Sequence, residues 1–144
     1  MSDLRELYQE IIMEHNARPR NFHPLDGPTC TLVGHNPLCG DRISLDLKVD
    51  DGVITDVGFT GSGCAISRAS ASMMTESIKG KRADEAEQLF DAVHAMLMRG
   101  PEAGYDAELL GDLDVLAGVA EYPTRIKCAM LAWHTLRNAL HGER

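Results

Sequence analysis

Three of the chain's four cysteines stand where a thiol can become a thiolate, and a carboxylate accompanies one of them. Cys39 and Asp41 fall in Asn36-Pro37-Leu38-Cys39-Gly40-Asp41, Cys64 follows Gly61-Ser62-Gly63, and Cys128 follows Arg125-Ile126-Lys127. Three sulfurs and one carboxylate oxygen make a tetrahedral ligand set suited to zinc, or to an iron–sulfur centre. The gaps are long and there is no C-x-x-C pair, so spacing alone leaves the alternative open that these cysteines are small buried hydrophobes. Cys30, in Thr29-Cys30-Thr31-Leu32-Val33, has neither a carboxylate nor a glycine turn beside it and reads as a strand residue. Two disulfides would suit a small secreted chain, and nothing in the sequence points to secretion. A divalent metal on three thiolates and one carboxylate leaves a formal charge of about −2. Arg42, Arg125 and Lys127 are placed in sequence to offset it. Arg125, one turn before Cys128, reads equally as a charge-balancing or partner-facing group and as a solvated arginine at a helix start.

The surrounding elements must bring these segments together. Leu4, Leu7, Tyr8, Ile11 and Ile12 recur at the helical period and predict an amphipathic helix over 3–16, which Pro19 ends. A first strand is expected near Thr29–Val33. Ile43, Leu45, Leu47 and Val49 alternate strictly, Asp50-Asp51-Gly52 is a hairpin turn signal, and a return strand runs from Val53 to Thr60 with Val53, Val57 and Phe59 on one face. Helices follow: one from about Cys64 to Ile78, one over Asp84–Met98 ended by Gly100-Pro101, a short one near Asp112–Ala120, and a last one from Thr124 to about His141. Its core stripe is Ile126, Ala129, Met130, Trp133, Leu136 and Leu140. Strands first and helices after predict an α+β fold, a three-stranded antiparallel sheet with helices packed on one face, in a single domain spanning residues 1–144. On this map Cys39 and Asp41 sit in the loop between two strands. Cys64 and Cys128 sit near helix N-termini, which favour thiolates.

Composition narrows the class. At 144 residues, 44% apolar and 25% charged, the chain has the make-up of an ordinary globular protein. Its net charge of −8 argues against nucleic-acid binding. No apolar run approaches a membrane span, and the polar N-terminus lacks a signal-peptide core, so a cytoplasmic protein is expected. None of the six histidines lies at metal-like spacing from another. His134 is expected at a surface or edge, His35 in a loop, and Met73, Met74, Met96 and Met98 as helix core filler.

The segments Asn36-Pro37-Leu38-Cys39-Gly40-Asp41, Gly61-Ser62-Gly63-Cys64-Ala65-Ile66-Ser67 and Arg125-Ile126-Lys127-Cys128-Ala129-Met130-Leu131-Ala132-Trp133 resemble the SufU family, within the larger IscU/NifU-type group of iron–sulfur assembly proteins. The likeness extends to Leu7-Tyr8 and Pro19-Arg20-Asn21 and so covers nearly the whole chain. IscU-type scaffolds carry histidine immediately before the last cysteine, where this chain has Lys127. SufU-type chains also have extra residues between the second and third cysteines, matching the segment around 100–118. The resemblance implies a SufE/NifU-like fold and zinc on Cys39, Asp41, Cys64 and Cys128. It further implies a sulfurtransferase that takes persulfide sulfur on Cys39 from a SufS-type PLP-dependent cysteine desulfurase and passes it to downstream iron–sulfur assembly machinery. The alternatives are a scaffold that builds a [2Fe-2S] cluster on the same residues and a purely structural zinc domain used for docking.

Overall fold

The computed structural model describes residues 2–37, 40–99 and 107–142. The Cys39 position, the Gly100-Pro101 helix stop and the side chain of Leu4 lie outside the described residues. Helix α1 (Ser2–Ala17) leads through a proline-containing segment to strands β1 (Cys30–Asn36), β2 (Asp41–Asp50) and β3 (Val53–Ser62). Helices α2 (Ala65–Ile78), α3 (Ala83–Arg99) and α4 (Ala107–Leu110), a 3-10 helix over Gly111–Glu121, and α5 (Pro123–Leu140) follow. The strands form one antiparallel meander in the order β1-β2-β3.

Alternation along β2 explains the layering. Ile43, Leu45 and Leu47 are buried and face the helices, with Phe59 and Val57 opposite Leu45 and Leu47 on β3. Beyond Lys48 the register shifts and leaves Thr55 without a partner on β2. One extra residue reverses which side chains point inward. Ile54 is therefore fully buried and Val53 only half-buried, so Val53 does not share the inward face of Val57 and Phe59.

Helices α2 and α5 lie against each other, tied through a buried hydroxyl. Ser70 Oγ donates to the Ala129 carbonyl at 2.6 Å and accepts the Trp133 indole N–H at 3.2 Å. Trp133 is wholly buried, and this partner satisfies the one polar atom of its ring. Against β1, α5 comes so close that a Cβ at Gly34 would lie 2.0 Å from Thr135 Oγ1, so only glycine fits. The strand runs on past Val33 because His35 pairs with Arg42 and Asn36 with Asp41. His35 is thus a strand residue rather than a loop residue.

Three other expectations need correction. Leu7 is 50% exposed although it shares the apolar period of α1, and Met98 is 60% exposed rather than core filler. The segment before α5 forms eleven residues of 3-10 helix, long for that geometry. Its apolar run Leu113, Val115, Leu116, Ala117 and Val119 is buried, so tertiary packing rather than local hydrogen bonding holds it. No helix among the described residues is long and apolar enough to cross a membrane.

Helix α1 is clamped to α2 by His15. Its Nδ1 lies 2.7 Å from Ser72 Oγ, which also accepts the Arg20 N–H at 2.8 Å. The other ring nitrogen, Nε2, lies 4.0 Å from Glu76. Burial, with Arg20 next, pushes the His15 pKa below the usual 6.5, against the pull of Glu76, Glu14 and Asp112. A depressed histidine pKa means that the unfolded chain binds the proton first, so stability from this clamp is complete above pH 6.5 and declines as pH falls through the folded-state value. Urea denaturation at a series of pH values should show this decline in the wild type and a shallower one in His15→Gln. Equal slopes below pH 6.5 would remove His15 from the account.

Candidate metal centre

Asp41 opens β2, Cys64 immediately precedes α2, and Cys128 lies in the second turn of α5. One ligand atom from each of these three residues falls within 4.8 Å of the other two. Asp41 is wholly buried, Cys128 is 1% exposed, and Cys64 is half-buried at the mouth. Asp41 is therefore a strand residue turned inward, not a loop residue, and its neighbour Arg42 stands exposed on the opposite face of the sheet. Arg42 consequently does not offset the charge of the cluster.

Backbone geometry sets these positions. Cys64 is the N-cap of α2, and its Sγ accepts the Ser67 N–H at 3.4 Å. The Cys64 N–H in turn donates to Asp41 Oδ1 at 2.9 Å, and Cys64 Sγ lies 3.8 Å from Asp41 Oδ2. Strand and helix can meet this closely because residue 63 has no side chain: a Cβ there would sit 2.5 Å from Asp41 Oδ1. Gly63→Ala is expected to cost about 1–3 kcal/mol through forced displacement of Asp41, and to weaken metal binding with it. Urea denaturation and metal retention check this, and an unchanged midpoint with full retention would contradict the close-packing argument.

Charge balance comes from α5. The Arg125 guanidinium hydrogen-bonds Cys128 and lies beside Cys64, and these sulfurs raise its pKa above the ordinary arginine value. The helix-start arginine thus faces the cluster despite the unfavourable helix dipole. Lys127 is exposed and lines a groove between α3 and α5 instead. Sequence reasoning passed over Arg68, one turn beyond Cys64. Its guanidinium lies 4.6 Å over the Phe22 ring, and its Nε is buried without a hydrogen-bond partner among the described residues. The i,i+4 spacing from Cys64 was the only signal for it.

Two thiols and a carboxylate, inward-facing and balanced by one guanidinium, fit a borderline-soft divalent ion with mixed sulfur and oxygen donors. Cys30 takes no part, since its sulfur is directed to the Ala139 carbonyl at 3.8 Å. A small α+β protein whose sheet end and two helices present a buried thiol–carboxylate cluster is the class that fold and site define. The chain belongs to the NifU-like N-terminal domain family, whose model matches residues 7–141. It is 43% identical over 140 residues to the iron–sulfur cluster assembly scaffold protein IscU of Streptococcus pyogenes serotype M1, covering 97% of this chain and 86% of that protein. It is 42% identical over 143 residues to the zinc-dependent sulfurtransferase SufU of Bacillus subtilis, covering 99% and 95%. Among solved structures, a protein named as an iron–sulfur cluster assembly scaffold for the SUF system (FiSufU), from the thermophilic Fervidobacterium islandicum AW-1, superposes with a TM-score of 0.86 at 34% identity, covering 91% of this chain and 94% of that one.

Proposed function

We propose that this chain acts as a single domain in iron–sulfur cluster assembly, as a zinc-dependent sulfurtransferase that accepts persulfide sulfur on Cys39. The observation that carries the reading is the buried Asp41, Cys64 and Cys128 cluster. Asp41, Cys64 and Cys128 would hold zinc, with Cys39 as the fourth and exchangeable ligand, separated from Asp41 by one residue. Bound zinc would keep its cysteine ligands deprotonated at neutral pH. A SufS-type cysteine desulfurase is the proposed donor and cytoplasmic assembly machinery the proposed recipient.

The chain's own residues then divide the work. Cys64 and Cys128 are fixed by helices that also pack the core. The freed Cys39 thiolate attacks the terminal sulfur of the donor's persulfide. A new sulfur–sulfur bond forms as the donor's breaks, and the donor cysteine departs as thiolate with that electron pair. Arg125 balances the negative charge that the sulfurs concentrate at the mouth.

A scaffold that assembles a [2Fe-2S] cluster on the same residues is the second reading, favoured by the names of the Streptococcus relative and the Fervidobacterium structure. Lys127 weighs against it, because an exposed ammonium stands where IscU-type scaffolds have histidine and offers no lone pair to a metal. Metal content with a visible absorption spectrum of purified protein separates the two. A colourless protein with one zinc per chain is expected, and a brown iron–sulfide species would favour the scaffold.

A further inference from the structure

A second ligand set, sharing no residue with the thiol cluster, lines the groove of about 420 Å³ that α3 and α5 form with the end of β1. On α3, His94 and Met98 are four residues apart, and on α5 so are Met130 and His134. Residues at that spacing stack on one helix face. All four line this groove. The two imidazoles meet edge to face, with ring centroids 6.3 Å apart and planes at 74°. Two imidazoles sharing an ion at about 2 Å from each ring nitrogen have centroids about 5–6.5 Å apart, so this separation needs little adjustment.

The rings are positioned but not consumed by other bonds. Phe90 stacks on His94 at 5.8 Å and meets His134 edge-on at 5.3 Å, while Arg137 covers Phe90 at 5.1 Å. Neither imidazole makes a hydrogen bond to protein among the described residues. Partial desolvation, then His94 and Arg137, lower the His134 pKa and keep that ring neutral with a lone pair to give. Met130 is 2% exposed at the groove floor, and Met98, 60% exposed, is a flexible thioether at its rim.

The chemistry of the donors selects the ion. Among the described residues no carboxylate or thiol lines the groove, and Lys127 adds positive charge. Hard divalent cations therefore find no anionic ligand among these residues. Neutral thioethers and imidazoles suit a soft ion of low charge. We propose that His94, Met98, Met130 and His134 form a binding site for Cu(I), separate from the Asp41, Cys64 and Cys128 cluster.

The test is an anaerobic titration of zinc-loaded protein with Cu(I) supplied from a bathocuproine complex, followed by methionine-methyl and histidine-ring NMR. The thiols compete for the same ion, so the readout must be resolved by residue. As free Cu(I) rises, the Met98 and Met130 methyls and the His94 and His134 rings are expected to shift together, with the other methionine methyls still. In the double variant His94→Gln, Met98→Leu, half-saturation of the remaining Met130 and His134 signals should need at least about tenfold more free Cu(I), at unchanged zinc content. A folded spectrum of the variant without Cu(I) confirms that the comparison is of binding. Methyls of Met98 and Met130 that stay fixed while the Cys64 and Cys128 signals move would place all the Cu(I) on the thiols and overturn the proposal. Half-saturation in the double variant within about twofold of wild type would overturn it as well.

Discussion

Replacing Cys64 or Cys128 by serine is expected to strip the metal from the protein, and at position 64 to lower its stability only where metal is supplied. The two positions separate ligand loss from packing loss. Serine is a good N-cap, so at position 64 it can still take the Ser67 N–H that the sulfur accepts now. The metal-free Cys64→Ser protein should therefore match metal-free wild type to within about 0.5 kcal/mol. With free zinc about 1,000-fold above its dissociation constant, bound metal adds about 4 kcal/mol to the folded wild type, and the variant should gain none of it. Cys128 is 1% exposed, so Cys128→Ser also buries a hydroxyl and should be the weaker protein even without metal. Zinc content and paired urea melts, with and without a chelator, measure all of this. Full zinc occupancy in both variants would remove them from the ligand set.

Cys39→Ser is expected to behave in the opposite way. It should keep the fold, since exchanging sulfur for oxygen removes no carbon from the side chain. The buried Asp41, Cys64 and Cys128 set stays whole, so metal should be retained more weakly rather than lost. Sulfur acceptance should disappear, because a serine oxygen cannot form the new sulfur–sulfur bond. Stimulation of a SufS-type desulfurase should fall by on the order of 100-fold or more. Persulfide formation on the variant at the wild-type rate would sink the acceptor role of Cys39.

Much of this arrangement was legible in the sequence because it rests on period and punctuation. Strict alternation from Ile43 to Val49 gave β2, and the glycines before Cys64 gave the start of α2 as it stands. The ligand candidates could be named because thiols and a carboxylate beside glycine turns are chemically conspicuous. What could not be read depends on contacts between distant segments. The bulge at Thr55 exchanges Val53 for Ile54 in the core through a register shift that no local pattern announces. Asp41 reads as a loop residue beside Gly40, yet pairing with Asn36 draws it into β2 and turns it inward. Arg125 reads equally as solvated, and only the approach of α5 to α2 aims it at two sulfurs. The His94, Met98, Met130 and His134 set escapes a search by histidine spacing, because half of its ligands are methionines and its helices are far apart in sequence.

The central claim is that Cys39 takes sulfur beside the Asp41, Cys64 and Cys128 cluster. Its most direct test is mass spectrometry of zinc-loaded protein after incubation with a SufS-type desulfurase and cysteine. The account expects one added sulfur atom, mapped to Cys39, on a colourless protein that keeps its zinc ligands. No added sulfur on any cysteine, with the same desulfurase active toward another acceptor, would contradict it.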